Sequence, residues 1–229
     1  MKGIFRKTKM TRAQIRNLAA IGENNQIEFK QKLNEPDNIL KEMVAFANSK
    51  GGNLLVGVAD NGTITGVRDP YEVTSILQKG INDQIFPRIQ YMEEIIPISS
   101  KRSVVNYKIY TGKKKPYYLN PQNSRRGTAY VRFEDQSIKA SRELVRILKE
   151  PNRKGFTVQL TDLHHQVIRL FKENERVTLQ HVIEELKIGK RLAGSVLTSL
   201  VLANILGIKP AEKGDVFYDR ENSLKKSIY

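Results

Sequence analysis

From residue 36 to 47, apolar side chains recur every three or four positions, at Ile39, Leu40, Met43, Val44 and Ala47, behind Pro36-Asp37 and ahead of Gly51-Gly52. That is the period of an α-helix with one face in a core, and such helices take proline at the start and glycine just past the end. The same spacing at Ile15, Leu18 and Ile21 predicts a short helix over 11–21, with those three on its inner face. Val73, Ile76, Leu77 and Ile81, behind Asp69-Pro70, predict another, and a further helix is expected over 141–149. Strand-like runs lie between, at Ile27 and Phe29, then 54–58, 63–67, 89–98, 103–110 and 129–133. Asp60-Asn61-Gly62 predicts a tight hairpin joining 54–58 to 63–67, because Asn-Gly supplies two positive φ angles. Helices and strands mix without strict alternation, which predicts the α+β class, a mixed sheet with flanking helices.

The pattern changes after Pro151-Asn152-Arg153-Lys154-Gly155, a stretch poor in apolar residues and marked by two structure punctuators. The expected division is therefore a first domain over 1–150, a linker over 151–160 and a second domain over 161–229. In the second, helices are expected over 162–172, 179–186 and 190–206, the last stopped by Gly207, and strands at 208–209 and 216–218 flank a turn. Three helices and a two-stranded wing predict a small winged helix-turn-helix domain, whose third helix is the groove-facing one. Lys190 and Arg191 in its first turn become candidate contacts, with Ser195, Thr198 and Ser199 on the polar side and Leu192, Val196, Leu200 and Ala203 packing inward. Winged helices also dimerise and dock proteins, so a protein-interaction role stays open beside DNA contact.

Composition narrows the partners. With 39% hydrophobic and 28% charged residues the 229-residue chain has the material for a packed core. It contains no cysteine, which excludes disulfides and thiolate metal sites. No run is long and apolar enough for a signal peptide or a membrane span, so a cytoplasmic protein with no membrane partner is expected. The formal net charge of +15 is local. Residues 1–22 carry Lys2, Arg6, Lys7, Lys9, Arg12 and Arg16 with no acid. Residues 95–133 carry Lys101, Arg102, Lys108, Lys113, Lys114, Lys115, Arg125, Arg126 and Arg132, again with no acid, and elsewhere the charges balance. Concentrated positive charge attracts a polyanion by releasing its condensed counterions. Tyr107, Tyr110, Tyr117, Tyr118, Tyr130 and Phe133 interleave the second stretch, and aromatic rings beside cations are what unpaired bases stack upon. The same rings are equally suited to the inner face of a strand.

The most specific signal is a set of linked motifs. Glu23 to Lys30 reads E-x4-E-F-K, then come A-F-A-N-S-K-G-G over 45–52, a strand ending in Gly57-Val58, Asp60-Asn61-Gly62, Gly66, and Gly127-Thr128-Ala129-Tyr130-Val131-Arg132. In order and spacing, these resemble the Schlafen/AlbA-type DNA-binding domain over about residues 15–147. Asn48, Gly51, Gly52, Gly57, Gly62 and Gly66 are its structural positions. Gly51 and Gly52 let the backbone leave a helix for a buried strand, and Asn48 is placed either to cap the last carbonyls or to bridge a neighbouring strand.

The resemblance also implies an alternative, a metal-dependent nuclease acting on RNA or DNA. Glu23, Glu28 and Asp60 would then hold Mg²⁺ or Mn²⁺, with Lys30 offsetting developing charge; outside that alternative no cofactor is expected. Glu28 and Lys30 share a strand face, but Glu23 falls on the opposite one unless Gly22 or Asn24-Asn25 breaks the run. Ala59 stands where the family often has a further Asp. Because the Schlafen cleft is made of two similar lobes and this chain has one, the resemblance implies a homodimer. Some relatives carry an ATP-binding label, yet no G-x-x-x-x-G-K-[ST] loop occurs, and Gly51-Gly52 precedes a strand where a phosphate loop precedes a helix. His164, His165 and His181 fit core or surface roles better than a metal site. The combined expectation is a nucleic-acid-binding protein, DNA before RNA and a regulator of transcription, that uses a basic surface and a winged helix.

Overall fold

The computed structural model describes residues 10–120, 127–150 and 157–221. Four of the expected basic residues near the start, Lys2, Arg6, Lys7 and Lys9, lie outside them, as do Arg125, Arg126 and most of the expected linker. The chain divides into two compact units, Met1–Lys113 with Tyr117–Ser137, and Lys114–Pro116 with Ile138–Tyr229.

In chain order the first unit contains α1 (Arg12–Ile21), β1 (Ile27–Lys30), α2 (Pro36–Asn48), β2 (Gly52–Val56), α3 (Pro70–Gln84), β3 (Ile85–Phe86), β4 (Tyr91–Pro97), β5 (Ser103–Ile109), β6 (Tyr118–Leu119) and β7 (Tyr130–Phe133), and the division falls within β8 (Gln136–Lys139). Helix starts follow local chemistry. Thr11 and Gln14 form a capping box on α1, and the Asp69 carboxylate accepts the Tyr71 and Glu72 N–H groups at the head of α3. The main sheet runs β1-β2-β5-β4, with β1 parallel to β2 and the other pairs antiparallel, so the α+β class with a mixed sheet holds. Alternate side chains separate the two faces. Leu54, Val56, Val105, Tyr107 and Ile109 pack with Leu40, Met43 and Phe46 of α2 and Leu77 of α3. On the other face, Phe29, Leu55 and Val104 pack with Ile15 of α1.

Two expectations fail here. Residues 63–67 form no strand beside β2. Gly57, at φ +105°, turns the chain, and its carbonyl accepts the Thr65 and Gly66 N–H groups, leaving isolated bridges Val58 to Ile64 and Val67 to Ser103. β5 takes the place beside β2, and in the Asp60-Asn61-Gly62 turn only Gly62 has positive φ. Ile21, expected on the inner face of α1, is 65% exposed.

The second unit contains α4 (Arg142–Lys149), α5 (Asp162–Glu173), β9 (Val177–Thr178), α6 (Leu179–Leu186), α7 (Lys190–Leu202), β10 (Leu206–Lys209) and β11 (Val216–Asp219). Its small antiparallel sheet runs β10-β11-β9. Val167, Phe171, Val182, Val196, Leu197, Leu200 and Phe217 form its core. α4 lies close on α7: a Cβ at Gly194 would come within 2.3 Å of the Glu143 carboxylate. The third helix of the 162–202 region stops at Leu202, short of the expected 206, because Asn204 at φ +61° turns the chain so that Leu206 can begin β10.

Candidate functional site

The motif residues of the first unit build a buried ionic cluster. β1 carries Glu28 and Lys30 on one face, α2 brings Glu42, and β7 brings Arg132, which is only 7% exposed. One Arg132 nitrogen donates to Glu28 Oε2 at 3.0 Å, Glu42 Oε2 at 2.6 Å and Ser137 Oγ at 3.3 Å, and the other donates to the Asn24 carbonyl at 2.8 Å. The guanidinium lies 4.9 Å from the centre of the Phe46 ring. Lys30 Nζ pairs with the remaining Glu28 oxygen and donates to the Phe29 carbonyl at 3.0 Å. Burial, then the nearby Glu42 charge, push the Glu28 carboxyl above its ordinary value despite both cations. Burial pulls Lys30 down, but the Glu28 hydrogen bond and charge win and its ammonium is held above the ordinary range.

Arg132 therefore does not serve as an open phosphate contact. Its two terminal nitrogens are spent on Glu28, Glu42, Ser137 and the Asn24 carbonyl inside the fold, and its Nε is buried away from any ligand. Asn48 bridges instead of capping: its amide donates to the carbonyls of Tyr117 at 2.8 Å and Tyr130 at 2.9 Å, and its oxygen accepts the Tyr117 N–H at 2.7 Å. That tie holds the β6 and β7 segments on the end of α2. Beside it, Gly51 sits at φ +76°, and any Cβ there would fall 2.6 Å from the Ile109 carbonyl.

The carboxylates Glu23, Glu28 and Asp60 are not brought together. Glu23 turns back, and its Oε1 accepts the Phe29 N–H at 2.8 Å, the turn before β1 breaking the run. Glu28 faces Arg132. Asp60 lies at a cleft of about 340 Å³ with Lys30, Lys32 and Glu35, which contains neither of the other two. Among the described residues no group of three or more His, Cys, Asp or Glu side chains is gathered as a metal site. His164 Nδ1 accepts the Thr161 N–H at 3.3 Å, while its Nε2 lies 3.0 Å from Ser199 Oγ.

The expected basic stretch is divided by the strands that carry it. Lys101 and Arg102 sit at the β4–β5 turn, where Arg102 clamps the Gly66 carbonyl at 2.8 Å. Lys114 and Lys115 fall in the second unit, and burial holds the half-buried Lys115 ammonium below its ordinary value. Lys108 and Lys113 remain, and these two line a groove of about 680 Å³ at the far end of β5. Lys50, between α2 and β2, joins them, and among the described residues no acid lines that groove. Its wall is Leu18 and Ile21 of α1, its floor includes Asn53 of β2, and the Lys108 ammonium lies 5.9 Å from the centre of the Tyr110 ring. None of the ion pairs among the described residues uses Lys50, Lys108 or Lys113. Lys50 escaped the sequence reading because it stands alone outside both basic stretches. Its one signal was its place in the turn between a buried helix and a buried strand.

In the second unit Lys190 and Arg191 are exposed at the start of α7. The polar side of that helix differs from expectation. Thr198 is 6% exposed and Leu192 is 50% exposed, while Ser199 is tied to His164 and to the Val196 carbonyl. Ser195 stays open.

A family model described as Schlafen, AlbA_2 matches residues 23–141, more than half of the chain. The chain belongs to the Schlafen AlbA_2 family. Membership associates it with nucleic-acid binding in general terms. Among solved structures it is similar to the N-terminal domain of a protein related to the ATP-dependent DNA helicase RecG, from Nitrosomonas europaea, at 21% identity and a TM-score of 0.42, over 54% of this chain and 89% of that one. It is also similar to the DIP2311 protein of Corynebacterium diphtheriae, at 15% identity and a TM-score of 0.45, over 93% of this chain and 39% of that one. The chain thus spans well under half the length of the second relative. The matched Schlafen AlbA_2 region contains the whole Arg132 cluster and all three groove lysines. No helix among the described residues is long and apolar enough to cross a membrane.

Proposed function

We propose that this chain is a cytoplasmic nucleic-acid-binding protein whose first unit contacts phosphates through the groove of Lys50, Lys108 and Lys113. One observation carries this reading: three lysines line one concave surface with no acid, and enter no ion pair, among the described residues. Such lysines are free to displace condensed counterions, which supplies most of the affinity of a protein for a phosphate backbone. Family membership and the local excess of charge favour the same partner. In the second unit, the order α5-β9-α6-α7-β10-β11 fits a winged helix, with Lys190, Arg191 and Ser195 of α7 open for a second contact. Two such contacts in one chain suit a DNA-binding regulator of transcription, and a homodimer would double both.

The test is binding of labelled duplex and single-stranded oligonucleotides as salt is raised. Affinity falls with salt, and the triple variant Lys50→Gln, Lys108→Gln, Lys113→Gln lowers the log–log salt slope by about 2 to 3, from ~0.7 to ~0.9 per lost contact. An unchanged slope in the triple variant overturns the assignment of the groove. Mn²⁺ in the same reactions tests hydrolysis: cleavage that Glu28→Gln leaves folded but abolishes would move the reading to a nuclease.

A further inference from the structure

We propose that the groove takes an unstacked single strand, one base lying on Tyr110, and not the side of a duplex. This rests on the nucleic-acid reading above and narrows it. The first reason is shape. The surface is concave, walled by the end of α1 and floored by the ends of β2 and β5. A duplex keeps its base faces inside its own stack and offers a groove only backbone and edges, whereas an unpaired nucleotide can place a base inside a pocket of this size.

The second reason is what lines the groove besides lysine. A site for phosphate alone needs cations and N–H donors. This one also presents Ile21, 65% exposed at its wall, and Tyr110, 39% exposed at its rim. Exposed apolar and aromatic surface inside a cationic groove gains nothing from a phosphate and gains from the face of a base. Tyr110 already has the Lys108 ammonium near its ring, so a base stacked there places its phosphate within reach of a cation.

The third reason is an unanswered acceptor. The side-chain oxygen of Asn53 is buried without a hydrogen-bond partner among the described residues, and Asn53 is one of the residues that line the groove. Buried acceptors left unmatched are uncommon, and the edge of a base supplies donors that a phosphate lacks. Gln26 and Gln90 line the same groove and extend the set of amides that an inserted base would meet.

The experiment is competition on the full chain at fixed salt, read by fluorescence anisotropy of a labelled single strand of roughly 12 nucleotides. Unlabelled competitors are single-stranded DNA, single-stranded RNA and a hairpin duplex of the same length. Single strands should compete about ten-fold better than the duplex. Tyr110→Ala should weaken single-strand binding by about ten-fold and leave the duplex unchanged, whereas Tyr110→Phe, which keeps the ring, should restore it. Thermal unfolding at the wild-type temperature shows each variant to be folded. Equal competition by the duplex, or a single-strand affinity indifferent to Tyr110→Ala, overturns the inference. If the triple lysine variant still loses affinity in that case, nucleic-acid binding stands and only the single-strand assignment falls. If no oligonucleotide binds the wild-type chain, both fall.

Discussion

Arg132 and Lys108 come from the same acid-free stretch, yet the fold puts them to opposite uses. Arg132 is buried between Glu28 and Glu42, with Lys30 on the far side of Glu28. Lys108 stands on the open face of β5 in a groove with no acid. The difference lies in what each strand faces. β7 lies on α2, where a cation is tolerated only if carboxylates answer it, while Lys108, near the end of β5, is exposed in the groove. A positive charge in a sequence is thus either part of the scaffold or part of the surface, and only the second kind is available to a polyanion.

Substitutions can break that contrast. The largest effect is expected at Arg132→Met, which leaves two buried carboxylates without their guanidinium. Urea unfolding should show a loss of about 3–5 kcal/mol, and a loss under ~1 kcal/mol would mean that the cluster is not a structural core. Asn48→Ala comes next. It removes three hydrogen bonds between α2 and the β6 and β7 segments, for roughly 2–3 kcal/mol in the same assay.

Glu28→Gln sharpens the comparison through pH. A carboxyl raised above its ordinary value of 4.5 holds its proton more tightly folded than unfolded. Glu28 therefore contributes stability that is fully present below pH 4.5 and is lost as pH rises through its raised value. The variant should flatten that part of the stability–pH curve, as read by chemical denaturation at several pH values; an unaltered curve would show that Glu28 titrates normally. The smallest effect on stability belongs to the triple lysine variant of the groove. It should change unfolding by no more than about 0.5 kcal/mol while losing oligonucleotide affinity, and a large destabilisation would show that those lysines are scaffold after all.

Local signals in the sequence were enough to place α2, the starts of α1 and α3, and the α+β class. Each depends on residues within one turn or one strand of each other. The parallel pairing of β1 with β2 and the insertion of β5 at the centre of the sheet depend on contacts between distant segments, which no periodicity records. The Arg132 cluster is of that kind, since its partners lie 104 and 90 residues away. Nothing local marked it: an arginine between Val131 and Phe133 keeps the alternation of a half-buried strand, and Glu42 falls between the apolar positions of α2, so each reads as a surface residue. The groove was half legible. Lys108, Tyr110 and Lys113 stood in the charged stretch, but the fold added Lys50 and removed Arg102 and Arg132 to other tasks. In the second unit the helices were legible, whereas the inward turn of Thr198 and the outward turn of Leu192 follow from the packing of α4 and α5 on α7.

The bond from the Phe29 N–H to Glu23 bears on how two copies could meet. β1 is an edge strand, and an edge ordinarily advertises its spare amides to any passing chain. Here that amide is answered from within by a side chain six residues earlier, so a newcomer adding itself alongside β1 would first have to evict a carboxylate. A continuous sheet running from copy to copy through β1 is thereby made costlier by the loss of that bond.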